Sequence, residues 1–230
     1  MSTRSAHGRD SARATRLPAK PQPPSAMETA QQPDHDIEDE ATFRKLAFLD
    51  LDLSGQAGDS VEFEQCRFTR TGLAGTVLER AAFTDCLVET SDWANLKAVK
   101  SGLLRVEVSL ARLTGLQWLD GSLRDVAFRE CRMDLATFRF SSFKNVAFTD
   151  CNLTRADFTN ADLRGASFTG CDLSGAQFAQ ADCNGARFTR CELGGIGSVT
   201  SLRGATVGAH DLAGLAYTLA GALDITIDEA

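Results

Sequence analysis

Cys131, Cys151, Cys171 and Cys191 recur at intervals of twenty residues. A file of thiols is the most suggestive candidate for chemistry in the chain, through disulfide exchange or thiolate–metal bonds. Stacked on neighbouring strands, their Cα atoms would lie ~4.8 Å apart, within disulfide range. The position they share is one that accepts small residues, however, and free Cys behaves as a small buried hydrophobe. Structural packing is therefore the expected role. Seven cysteines without a CxxC pair make a poor disulfide framework and fit a reducing, cytoplasmic setting.

Other chemical groups are sparse. His7, His35 and His210 are far apart, and the chain has no His-x-x-x-His, Walker loop, nucleophile elbow or zinc-type Cys/His spacing. Asp157, Asp162, Asp172 and Asp182 recur regularly but are expected to face water, without the burial that tunes a catalytic carboxylate. Asn152-Leu153-Thr154 has the form of a glycosylation acceptor inside the same regular region. We expect no catalytic residue, no cofactor and no metal: the protein reads as a non-enzyme.

The elements that hold these residues follow from a period. From Ala41 to Gly195 the chain divides into 31 pentapeptides without a slip of frame. The third residue of each is apolar in 30 of the 31, Gly58 being the exception, and thirteen of the fourteen Phe stand there. The first residue is small or apolar except at Gln56. A helix would drift ~140° per five residues and become apolar all round, so it is rejected. A strand points positions one and three inward and position two outward. Because five is odd, the chain must turn a corner at positions four and five to bring the next pair inward. Position five is Gly in eight blocks, and the repeat contains no Pro, as backbone ladders require.

A longer period sets the number of corners. Phe48, Phe68, Phe128, Phe148, Phe168 and Phe188 share one class modulo twenty, and Leu53, Leu73, Leu113, Leu153, Leu173 and Leu193 another. Four sides of five residues stack like on like, so nearly eight coils are predicted, a rod on the order of 40 Å long. Its interior is expected to be filled by Phe and Leu.

The run ADFTN-ADLRG-ASFTG-CDLSG-AQFAQ-ADCNG-ARFTR-CELGG, residues 156–195, resembles the pentapeptide-repeat family, whose consensus is A(D/N)LXX. The resemblance covers residues 41–195. It weakens at residues 56–60 and across 86–125, where Val88, Ala98 and Val108 replace Leu or Phe. It implies an all-β solenoid, a right-handed four-sided parallel β-helix. It also implies two activities known in the family. Some members use a C-terminal helix to dimerise, and some mimic a DNA duplex, bind DNA gyrase and protect it from quinolones.

Flanking segments differ from the repeat. Residues 1–40 hold all five Pro and split charge, with five bases and Asp10 in the first twenty residues and six acids in the next twenty. They read as a disordered tail, a solubilising leader or a docking arm. The basic start lacks the apolar run of a secretory signal; an organelle transit peptide stays open as an alternative. Residues 201–230 read as a cap: Asp211 capping a helix over about 211–223, with Leu212, Leu215, Leu219 and Leu223 on one face, then a short strand at 224–228. The same helix is a candidate dimer face.

Charge narrows the partners. Net −7 argues against direct nucleic-acid or anionic-membrane binding, and no run of ~18 apolar residues exists. Residues 41–200 carry 18 bases and 20 acids, so the rod lacks the acidic density a DNA mimic needs. Val77, Val99, Leu119 and Phe140 fall on one side at outward positions, with Leu104, Leu110 and Leu135 in the middle coils, and form a candidate interface. The expected function is a protein–protein interaction scaffold whose partner the sequence does not name, with gyrase mimicry as the alternative.

Overall fold

The computed structural model describes residues 16–227. Residues 41–200 wind into a parallel β-solenoid in which each strand pairs with the segment twenty residues on, as in Ala47↔Arg67, Phe48↔Phe68 and Leu49↔Thr69. Counting the partial coils at both ends, the solenoid has about nine turns. Four sides are present. Two are joined by the eight-residue strands Gly102–Ser109, Ser122–Arg129 and Ser142–Thr149, which run across a shared corner. A third is a line of single bridges from Asp52 to Glu192. The fourth holds Ala57–Asp59, Val77–Glu79, Lys97–Val99 and Gln117–Leu119, in parallel register. Pairing holds through residues 86–125, where Val108 lies between Val88 and Phe128. There Trp93 and Trp118 are both buried.

The inward positions form one continuous core. Phe148, Phe168 and Phe188 stack with ring centroids 4.9 Å apart and planes within 2° of parallel. This offset stacking repeats because the coils do, and each pair adds ~0.5–1.5 kcal/mol beyond its burial.

Corners are the costly part. Every fifth residue from Lys45 to Gly195 has positive φ, and 23 of these 31 are not Gly. In many corners the N–H of the next block closes a turn on the third position, as Ala156 N–H does on the Leu153 carbonyl at 2.9 Å. This is the i→i+3 turn that needs φ > 0 at its third residue. A second bond fixes the same corners. Asp157, Asp162, Asp172 and Asp182 each accept the N–H two residues on, at 2.9–3.1 Å. The expected solvated carboxylates are therefore Asx-type braces, and the preference for Asp or Asn at position two has a structural cause.

The segment before the repeat departs from the expected disorder over its described part; residues 1–15, with Arg4, His7, Arg9 and Arg13, lie outside the described residues. Glu28–Thr29 pairs with Leu46–Leu49, and Ala30 and Ile37 are buried as a first partial coil. Both exceptions to the repeat receive this segment. Gln56 accepts the Ile37 N–H at 2.7 Å and donates to Asp36 at 2.9 Å. At Gly58 a Cβ would meet Ile37 Cγ2 at 2.8 Å, so the missing side chain is the socket for Ile37. Composition predicted disorder because it assigned these backbone groups no partners, and the solenoid edge supplies them.

At the other end, α1 spans Leu212–Ala222. Asp211 makes no side-chain bond to it. Its Oδ1 instead accepts the Cys191 N–H at 3.0 Å, closing the last coil. Ser91, Ser101 and Ser141 do the same for Thr71, Ala81 and Gly121. Residues 224–227 form no strand. Asp228, which ends the expected strand, lies outside the described residues.

Candidate functional site

The thiol file forms as spaced. All seven cysteines are free and buried. Cys131, Cys151, Cys171 and Cys191 donate to main-chain carbonyls at 3.3–3.5 Å, for example Cys151 Sγ to Thr149 O. Neighbouring thiols also influence one another along the file. The Cys131 contact and burial push the Cys151 thiol up to about 12, and the Cys151 contact and burial push Cys171 up to about 12. These two thiols are held away from the thiolate that redox and metal chemistry require, whereas the Cys151 contact shifts Cys131 the other way, downward. Among the described residues no three His, Cys, Asp or Glu side chains converge on a metal-sized space. His35 engages the Gln31 backbone, and His210 lies in the short turn Ala209–Asp211.

Many of the surface carboxylates are paired. Arg70 grips Asp50 and Arg105 grips Asp85, each through two bonds of 2.6–2.8 Å from a neighbouring coil. Arg112, Arg139 and Arg164 hold Asp92, Asp157 and Asp162. Hydrogen bonds from Arg164 hold the Asp162 carboxyl below the usual range. Burial raises the Asp157 carboxyl, but Thr159 and Arg139 outweigh it and the net shift is downward. These pairs cut any row of negative charge into short lengths.

The candidate apolar side is only partly assembled. Val99 and Leu119 are ladder neighbours. Phe140 projects from a left-handed corner one coil further on, 63% exposed. Val77 lies on the ladder of Ala57 and Lys97, and Glu79 and Lys97 stand between it and Val99. Leu104 is half-buried beside Thr84 and Arg124, while Leu110 and Leu135 are exposed at two other corners. The signal in the sequence was an apolar excess; the coil geometry distributes it.

The C-terminal helix carries the larger unpartnered surface. It meets the solenoid through Gly214, Leu215 and Thr218. Thr218 Oγ1 accepts the Gly195 N–H at 3.1 Å. A Cβ at Gly214 would come within 2.9 Å of Glu192 Oε1, so glycine permits the close approach. Leu215 is buried, but Leu212, Leu219 and Leu223 are 52%, 42% and 68% exposed. At 100° per residue the docked line of Gly214, Leu215 and Thr218 is centred about 110° from the line of Leu212, Leu219 and Leu223. The helix thus covers the coil with Gly214, Leu215 and Thr218 and turns Leu212, Leu219 and Leu223 outward. Ile225 and Ile227 extend the exposed apolar surface. Among the described residues no helix is long and apolar enough to cross a membrane.

One corner was not found from the sequence. Residues 17–22 lie along Gln65, Asp85, Asp125 and Asn145, which occur at one corner in successive or alternate coils. A signal was available: this corner is polar from Lys45 to Asn145 and becomes Gly at Gly165 and Gly185, beyond the covering segment.

Among solved structures, the chain is similar in part to three proteins. HetL, a pentapeptide repeat protein involved in heterocyst differentiation regulation from Nostoc sp. strain PCC 7120, is 15% identical, with 74% of this chain and 87% of that one covered and a TM-score of 0.36. A trypsin-treated form of QnrB1, a plasmid-mediated fluoroquinolone resistance protein, is 22% identical, covering 87% and 95%, with a TM-score of 0.38. A pentapeptide repeat protein from the Arabidopsis thaliana thylakoid lumen is 19% identical, covering 62% and 68%, with a TM-score of 0.16. No curated protein sequence matches the chain. The family profile of the pentapeptide repeat region matches residues 121–197, so this stretch of the solenoid is similar to that family's repeat.

Proposed function

We propose that the protein is a non-catalytic interaction scaffold of the reducing cytoplasm. It pairs with a second copy through the leucine face of α1, and the sides of the solenoid remain free for a protein partner. One observation carries this reading: Leu212, Leu219 and Leu223 stay exposed on a helix that docks by another face. Burying a leucine side chain stabilises by ~1.5–3 kcal/mol, so three from each copy supply a substantial driving force. A second copy is the simplest occupant because a two-fold interface brings the same face to itself.

The alternative, mimicry of DNA toward gyrase, needs rows of charge that resemble phosphates. The arginine–carboxylate pairs weigh against it. Sedimentation of the full chain tests the first reading. A dimer at micromolar concentration that becomes a monomer on Leu219→Glu is expected; a wild-type monomer at every concentration overturns it. Supercoiling by purified gyrase, with and without a quinolone, tests the second, and no effect of the protein is expected.

A further inference from the structure

Residues 17–22 recognise one corner of the solenoid through their backbone. Asn145 Nδ2 donates to the Leu17 carbonyl at 3.1 Å, and Asp125 Oδ1 accepts the Ala19 N–H at 3.1 Å. Asp85 Oδ1 accepts the Gln22 N–H at 3.3 Å, and Gln65 Nε2 donates to the Gln22 carbonyl at 3.0 Å. Each of these bonds reads main-chain atoms, so the corner selects a conformation rather than particular side chains.

Pro18, Pro21, Pro23 and Pro24 favour an extended, polyproline II conformation here. Proline locks φ near −65°, and a polyproline II helix makes no internal hydrogen bonds, so its amides and carbonyls point outward for capture. Its repeat also fits the solenoid. Three polyproline residues rise ~9.3 Å, and two coils rise ~9.6 Å. Ala19 and Gln22, three residues apart, accordingly meet Asp125 and Asp85, two coils apart. Apolar contact accompanies the polar contact: Pro18, Ala19 and Pro21 share a cleft with Val106, Ala127 and Ala147. Ala127 is buried although it stands at an outward position. Charge is complementary at Asp125, while Asp85 is already paired with Arg105 of the same corner. No acid occurs between Ser11 and Met27, whereas Arg16 and Lys20 flank the contacts with Asp125.

We propose that this corner is a binding groove for a basic polyproline II peptide. Residues 16–24 are its resident occupant, and a partner's proline-rich basic segment enters by displacing them. The groove is separate from the helix face and does not depend on self-association.

The test uses the full-length chain. Ala19→Pro with Gln22→Pro keeps the segment in polyproline II but removes both captured N–H donors, and leaves the groove unaltered. The probe is a fluorescein-labelled peptide with the sequence of residues 14–27, followed by anisotropy. The double variant should bind it at least tenfold more tightly than the wild type. Adding Asp125→Gly, which suits the left-handed backbone there (φ 55), should remove that gain. In the wild type, the Ala19 and Gln22 amides should exchange hydrogen at least tenfold more slowly than in the free peptide. Equal binding by the double variant and the wild type overturns the proposal. So does binding that survives Asp125→Gly, or exchange at the free-peptide rate.

Discussion

Ile37 and Gly58 form a knob and a socket, and their fit can be measured as a coupling energy. Ile37→Ala removes three carbons from a buried site. At ~0.8 kcal/mol per methylene, plus the cavity left behind, it should cost about 3 kcal/mol. Gly58→Ala places a Cβ 2.7 Å from Val61 Cγ2, 2.8 Å from Ile37 Cγ2 and 3.1 Å from the Glu38 carbonyl. Overpacking of this kind should cost about 2 kcal/mol. Together the two changes should cost less than their sum, because the new methyl enters space that the truncated Ile37 has left. Val61 still resists, so the relief is partial, about 1–2 kcal/mol. Urea unfolding of the four proteins, followed by far-ultraviolet circular dichroism, gives the cycle. Exchange of the Ile37 amide, which Gln56 holds, reports whether the N-terminal coil opens first. Additivity within ~0.5 kcal/mol would refute the socket, since independent sites behave that way.

Three further outcomes are expected. Asp211→Ala leaves the buried Cys191 N–H without an acceptor and should destabilise by about 1–3 kcal/mol. Asp211→Ser, copying Ser91 and Ser141, should restore most of it in thermal melts. Gly165→Ala meets no atom within 4 Å but has φ +74, so it should cost about 1 kcal/mol through backbone strain alone; an unchanged urea midpoint would contradict this. Asp157, Asp162 and Asp172 have lowered native values, so unfolding releases carboxylates that bind protons more readily. Their stabilisation is complete above the unfolded carboxylate range near pH 4 and is lost as pH falls through the native values. Urea midpoints measured from pH 6 to pH 2.5 should be level at first and then fall, with Asp162→Asn flattening the fall.

The coil was legible because its cause is local. A five-residue period and a twenty-residue recurrence specify which side chains turn inward, and Phe48, Phe68 and Leu53 are buried as that period requires. The corners were legible only in part. Glycine at position five marked eight of them, yet residues as large as Leu135 and Phe140 adopt the same backbone, because pairing with the coils on either side over-determines it. Gln56 and Gly58 stood out as the two breaks in the pattern, but their meaning depends on Asp36 and Ile37, some twenty residues upstream and outside the repeat. The N-terminal segment was misjudged for the same reason: polarity and proline predict disorder only when no neighbouring surface can satisfy the chain. The C-terminal leucine face was visible as a pattern, but periodicity gives a face without saying where it points, and Gly214 and Thr218 decide that.

The match between three strap residues and two coils has a consequence for how such a protein can change length. A bare solenoid can gain or lose any whole coil, since each added turn repeats the same pairings. Here the segment over the corner is bonded at Gln65, Asp85, Asp125 and Asn145, so a coil cannot be removed between them without those bonds being broken or re-formed. The N-terminal segment therefore works as a ruler laid along the rod, and a change in the length of the covered part has to be matched by a change in the segment.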